Sequence, residues 1–155
     1  MKNENFQLIT TNRKATHEYF ISERLECGIA LKGTEIKSLR ESRASLNEAY
    51  CRIKNGEVFL IGSHIPTYEF GGWDNHIPER DRKLLLHKSE IRRLKRSVEI
   101  KGMTLVPLKM YFNDKGKVKV EIGLAKGKQL HDKRDSEAAR DAQREMERAF
   151  AQRNT

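Results

Sequence analysis

The sequence predicts a mainly β domain of the α+β class: a small antiparallel β-barrel with short flanking helices and a flexible C-terminal tail. Three observations carry this. Apolar and polar residues alternate over 25–31, and again on both arms of 106–124, the period of half-buried strands. Asn55-Gly56 separates two further strand-like runs, a strong short-range signal for a hairpin. After Leu124 the large apolar side chains nearly vanish, leaving Leu130, Met146 and Phe150.

Taken in order, residues 1–12 are polar and without period, and read as an irregular N-terminal arm. A strand-like pattern opens at His17. Leu25, Cys27, Ile29 and Leu31 share one side, and Glu26, Gly28, Ala30 and Lys32 the other. Gly33-Thr34 then opens a short helix, with Thr34 as its cap, Glu35 at the positive end of its dipole and Ile36 and Leu39 on one face. Residues 50–53 and 57–61 form the arms of the Asn55-Gly56 hairpin. Residues 67–81 have no period and hold Gly71, Gly72, Trp73 and Pro78; so long a loop in a compact domain is usually functional or mobile. A helix is predicted over 89–100, capped by Ser89, striped by Ile91, Leu94 and Val98, and stopped by Gly102. In the last hairpin Val106, Leu108, Met110 and Phe112 lead to a turn at 113–116, and Val118, Val120, Ile122 and Leu124 return.

Short strands joined by turns, with two short helices, suggest a closed or nearly closed barrel, and an OB-like barrel suits the size. A chain of 155 residues supports one core. The organisation expected is therefore an arm at 1–12, a barrel at 13–124 and a tail at 125–155.

Lysine and arginine number 31 against 22 acidic residues, a net charge of +9. Such a surface attracts polyanions, nucleic acid above all. No run approaches the ~20 apolar residues of a spanning helix. Met1-Lys2-Asn3-Glu4-Asn5 leads into no apolar export core. A cytoplasmic location is expected, away from membranes, with Cys27 and Cys51 as reduced, packed thiols. No histidine pair has helical metal-ligand spacing, and there is no glycine-rich phosphate loop or nucleophile elbow. No enzyme, metal or cofactor is expected.

The basic residues point further. Arg80, Arg82 and Lys83 precede Leu84-Leu85-Leu86, and Lys88, Arg92, Arg93, Lys95 and Arg96 follow. One such helix alone reads as a solvated face; this density on a basic chain reads as a phosphate-tracking surface. Tyr19, Phe20, Tyr68, Phe70, Trp73 and Tyr111 are candidates for base stacking, though most suit packing equally well. Trp73, beside two glycines, stays open between the two. In the tail, eight basic residues face six acidic ones, and Arg140, Arg144 and Arg148 recur at helical spacing. Such a segment cannot bury enough surface to order itself, and reads as a latent helix, about 28 Å long over 133–151 if formed.

Five blocks now stand in register: Asn12-Arg13-Lys14-Ala15, His17-Glu18-Tyr19-Phe20-Ile21, Gly33-Thr34-Glu35-Ile36-Lys37-Ser38-Leu39-Arg40, Arg82-Lys83-Leu84-Leu85-Leu86-His87-Lys88 and His131-Asp132-Lys133-Arg134. Together they resemble the signature blocks of the small protein B family, the tmRNA (SsrA RNA)-binding proteins. The resemblance implies an OB-like barrel that binds the tRNA-like domain of tmRNA and brings it to stalled 70S ribosomes. The body then occupies the place of an anticodon arm. The tail becomes helical in the empty mRNA channel, beside the small-subunit decoding centre. Alanyl-tRNA synthetase and elongation factor Tu act on the same RNA. Residue by residue, the resemblance assigns tmRNA binding to Asn12, His17, Glu26, Leu85 and His87. Lys83, Arg92 and Arg93 join them from the basic run. Lys126, Lys128, His131, Asp132, Lys133 and Arg134 match the decoding-centre block. Two rival readings are a generic OB-type ribosomal or single-strand binder and an RNA-cleaving or RNA-modifying enzyme.

Overall fold

The computed structural model describes residues 7–128. The tail expectations, with His131, Asp132, Lys133 and Arg134, lie outside the described residues. Seven strands and three helices follow in the order β1 (Gln7–Thr11), α1 (Arg13–Glu18), β2 (Tyr19–Ile29), α2 (Gly33–Arg40), β3 (Tyr50–Lys54), β4 (Glu57–Ile61), β5 (Arg82–Leu85), α3 (Lys88–Lys101), β6 (Thr104–Phe112) and β7 (Val118–Gly127). The strands form one sheet in the order β1-β6-β7-β2-β5-β4-β3, each neighbouring pair antiparallel.

The sheet curls until β3 comes up against β6, but the two share no ladder. The OB-like barrel is therefore nearly closed. α3 lies along the seam: Lys95, Val98 and Glu99 line a small cavity with Cys51, Arg52 and Ile53 of β3 and Thr104 and Leu105 of β6. Ile91 and Leu94 of this helix reach the main core, where Leu94, Leu60, Val58, Val120 and Ile122 have no exposed surface. Apolar area removed from water at about 25 cal/mol per Å² is what holds the curl together.

The alternation is observed with a modification. In β6 the register slips between Pro107 and Lys109, so Leu108 is an extra residue, as a β-bulge requires. Val106 and Leu108 consequently pack with Ala15 and Ala125 in a second, smaller cluster. Leu105, Met110 and Phe112 face the main core. A matching slip in β2 between Ile21 and Glu23 turns Ile21 to the smaller cluster while Leu25, Cys27 and Ile29 face the larger. The bulges let one sheet cover two cores.

Several boundaries differ from expectation. Gln7–Thr11, read above as irregular, is strand β1 on the edge beside β6; its polar residues face water and only Ile9 is buried. Residues 13–18, where a strand-like pattern is expected to open at His17, form helix α1, with the Asn12 side chain accepting from the Ala15 N–H. α2 begins at Gly33 and α3 at Lys88, so Thr34 and Ser89 lie inside helices and cap nothing. At α3 the Glu90 carboxylate accepts from the His87 N–H at 2.9 Å, and Gly102 closes the helix in the left-handed region at φ 66°. β7 runs on to Gly127, with Ala125 fully buried. Cys27 and Cys51 are buried and unbonded, and burial pushes the Cys27 thiol up to about 12.

Candidate nucleic-acid interface

β2 positions most of the candidate residues, because its outward side faces solvent where β7 and β5 flank it. Glu26 stands opposite Glu121 of β7. Two like charges across a ladder repel, and neighbours offset this: Arg24 reaches Glu121 at 3.1 Å and Lys109 at 3.9 Å. The Tyr111 hydroxyl donates to the exposed Glu26 carboxylate. Burial, and then the acceptor itself, raise the Tyr111 phenol well above its ordinary range, so it stays a donor. The carboxylate is thus held as an oriented acceptor, the property needed to receive base amino groups or 2′-hydroxyls.

Two residues further along β2, Gly28 pairs with Leu85 of β5. A Cβ on Gly28 would stand 3.3 Å from that of Leu85, so the glycine leaves Leu85 room to lie close across the strand. Leu85 stays half exposed. With Ile29, Leu31 and Ile36 it makes the apolar floor of a groove of about 410 Å³, rimmed by Arg40, Lys117 and Lys119. An apolar floor with a cationic rim suits a nucleotide, whose base and phosphate need one of each.

The basic run from Arg80 to Arg96 divides. Arg82 is fully buried: it meets Glu35 at 2.6 Å and donates to the Ser63 hydroxyl and carbonyl and to the Pro78 carbonyl. Arg80 meets the same carboxylate at 2.7 Å. Burial alone would raise Glu35, but hydrogen bonds from Arg80, the Lys32 N–H and Arg82 bring it below the usual carboxylate range. The expectation that Arg82 tracks phosphate is therefore corrected: a buried acid withdraws it, while Arg80, sharing that acid, stays partly exposed. Lys83 pairs with Glu57 at 2.7 Å and Arg93 with Glu23 at 2.6 Å. Lys88, Arg92, Lys95 and Arg96 are exposed along α3, and so is His87 at its start.

Asn12 and His17 fall elsewhere. Asn12 is buried at 5 % exposure and its amide donates to the Pro107 carbonyl, so it holds α1 onto β6. His17 is exposed on α1. Beside it the Lys128 ammonium lies 4.7 Å from the centre of the exposed Phe20 ring and bonds the Thr16 carbonyl, while Lys126 pairs with Phe20 across β2 and β7. The six steps from Phe20 to Glu26 span about 20 Å of strand. One strand therefore carries two groups, Glu26 with the Leu85 groove at one end and His17, Lys126 and Lys128 at the other. Arg24, Lys119, Arg40 and the Tyr111 hydroxyl were not singled out in the sequence as partners of this face. The outward phase of β2 would have shown Arg24, but Arg40 depends on how α2 packs.

The SmpB protein family model matches residues 9–152. The chain belongs to that family. Among its relatives the SsrA-binding protein of Moorella thermoacetica is 54% identical over 147 residues, covering 95% of each chain. That of Symbiobacterium thermophilum is 57% identical over 144 residues, covering 93% of this chain and 91% of its own. A solved chain described as "tmRNA-SmpB: a journey to the center of the bacterial ribosome" superposes with a TM-score of 0.65 at 52% identity, over 79% of this chain and 85% of its own. Among the described residues of this SmpB-family chain, no helix is long and apolar enough to cross a membrane.

Proposed function

We propose that this chain binds tmRNA through its tRNA-like domain and brings it to stalled ribosomes for trans-translation, without catalysing a reaction. The observation that carries the reading is identity above half with SsrA-binding proteins along nearly the whole chain. The geometry supports a division of labour. Glu26, oriented by Tyr111, accepts from base or ribose donors. Leu85 and the groove beneath Arg40, Lys117 and Lys119 take a nucleotide, and His87 and Arg92 meet the RNA along α3. Lys83 and Arg93 join after exchanging their acidic partners for phosphate, and Asn12 acts by seating α1, which presents His17.

In this reading residues 125–155 work at the decoding centre, with Lys126, Lys128, His131, Asp132, Lys133 and Arg134. The setting is the cytoplasm, where alanyl-tRNA synthetase and elongation factor Tu handle the same RNA. Competition tests it: labelled tmRNA is displaced by excess unlabelled tmRNA and not by an equal mass of unstructured RNA. Equal displacement by both would leave only a generic single-strand binder. Cleavage of the RNA in magnesium would mark an enzyme.

A further inference from the structure

Between β4 and β5 the chain presents three large apolar side chains to water. Trp73 is 97 % exposed, Phe70 76 % and Ile77 70 %. Slack does not account for this exposure. The loop is held by side chains that serve its shape. The Asn75 carbonyl oxygen accepts from the Tyr68 and His76 N–H groups while its amide donates to the Tyr68 carbonyl. His76 is buried, one ring nitrogen against the Thr34 hydroxyl at 2.8 Å and the other against the Ile65 carbonyl at 2.8 Å. At Gly71 a Cβ would meet the Asn75 amide at 2.6 Å, so any larger residue there would have to displace the side chain that ties the loop together. From the far side the Ile65 N–H donates to the Pro78 carbonyl at 3.0 Å. A fixed loop that exposes an indole, a phenyl ring and an isoleucine is built to have them covered.

Charge says by what. On a chain of net +9, residues 67–81 carry four carboxylates, Glu69, Asp74, Glu79 and Asp81, and a single cation, Arg80, which is bound to Glu35. All four acids are exposed. Glu79 pairs with the His64 ring, and Lys37 lies 5.6 Å from the Tyr68 ring centre. Such a surface repels phosphate, so the aromatics here are unsuited to stacking on RNA bases. It complements an apolar recess rimmed by lysine or arginine. We infer that the 67–81 loop is a protein-docking surface, with Trp73 as its anchor, for a basic protein partner met on the ribosome. The partner is distinct from the RNA that the β2 and β5 face takes. The choice of ribosomes as probe rests on the function proposed above.

The test uses the full chain with Trp73→benzoylphenylalanine, irradiated with tmRNA and 70S ribosomes. The expected adduct survives ribonuclease, is lost to protease, and maps to a ribosomal protein rich in surface lysine and arginine. Trp73→Ala should weaken ribosome association of the tmRNA complex by about tenfold or more, as loss of an anchoring tryptophan does, and leave tmRNA affinity within about twofold. An adduct to RNA, an adduct to a second copy of this chain, or no adduct above the ribosome-free control would each overturn the inference. Failure of the unmodified chain to bind tmRNA would instead strike the functional reading, so the two failures are separable.

Discussion

At the scale of single residues, the pair Tyr111 and Glu26 is the sharpest feature of the face. Tyr111→Phe keeps the buried ring and removes the hydroxyl that donates to Glu26. The carboxylate then loses its fixed direction, and tmRNA affinity should fall about fivefold, the equivalent of one net hydrogen bond of ~1 kcal/mol. If Tyr111 acts through Glu26, the double variant with Glu26→Ala should bind no more weakly than Glu26→Ala alone. Additive losses in filter-binding titrations would separate the two residues. Glu35 poses a different residue-scale question. Arg82→Ala leaves a carboxylate with no exposed surface short of its closest partner, and should cost about 3–5 kcal/mol in denaturant unfolding. Because the folded-state pKa of Glu35 is lowered, its contribution to stability is present above the unfolded carboxylate value of about 4.3. It is lost as pH falls through the folded value. Urea midpoints should therefore drop below about pH 4 more steeply in the native chain than in Glu35→Gln. Parallel profiles would show that the network is not titrating.

At the scale of elements, α3 combines two duties, and they separate by face. Leu94 has no exposed surface, so Leu94→Ala should cost about 2–5 kcal/mol by the cavity it leaves at the seam. On the outer face Arg92 is exposed whereas Arg93 pairs with Glu23 at 2.6 Å. Arg92→Gln should lower the slope of log K against log salt by about 0.7–0.9. Arg93→Gln should lower it less, since that guanidinium must first leave a carboxylate. Equal slopes for both variants and the native chain would remove α3 from the phosphate-contacting surface. Elements also show where sequence reasoning stops. The Asn55-Gly56 hairpin was legible because its chemistry is local: both residues take positive φ, 53° and 74°, as the turn demands. β5 was not recognised as a strand, because its first residue is a buried arginine whose acceptor lies 47 positions away. The division of β6 between two cores depends on one bulged residue, Leu108, which the apolar run conceals. Glu26 was legible as outward, but its tyrosine partner lies 85 positions away.

At the scale of the whole molecule, the end of the barrel moves. The composition break suggested that the barrel ends at Leu124. Ala125 is buried, Ala125, Lys126 and Gly127 pair with the start of β2, and the Lys128 N–H donates to the Glu18 carbonyl. A chain cut after Leu124 loses these and should unfold at lower temperature than one cut after Lys128. The longer version should melt like the full chain and bind tmRNA with unchanged affinity, yet fail to support tagging on stalled ribosomes. Lost RNA binding by that version would end the proposed separation. Within the full chain, His131→Ala should leave tmRNA affinity alone and slow peptidyl transfer to alanyl-tmRNA about ten- to a hundredfold if its ring stacks on a base.

The loop that lifts Trp73 into water also determines how this protein looks to a spectrometer. Trp73 is the chain's single tryptophan, and its indole is as solvated in the folded state, at 97 % exposure, as an unfolded chain would make it. The native protein should emit at the red, water-like wavelength ordinarily taken as the mark of denaturation. Heating should then give a smooth, nearly featureless emission trace while far-ultraviolet circular dichroism records a cooperative loss of the sheet. A sharp emission transition coinciding with the dichroism would mean that the indole is covered in solution after all.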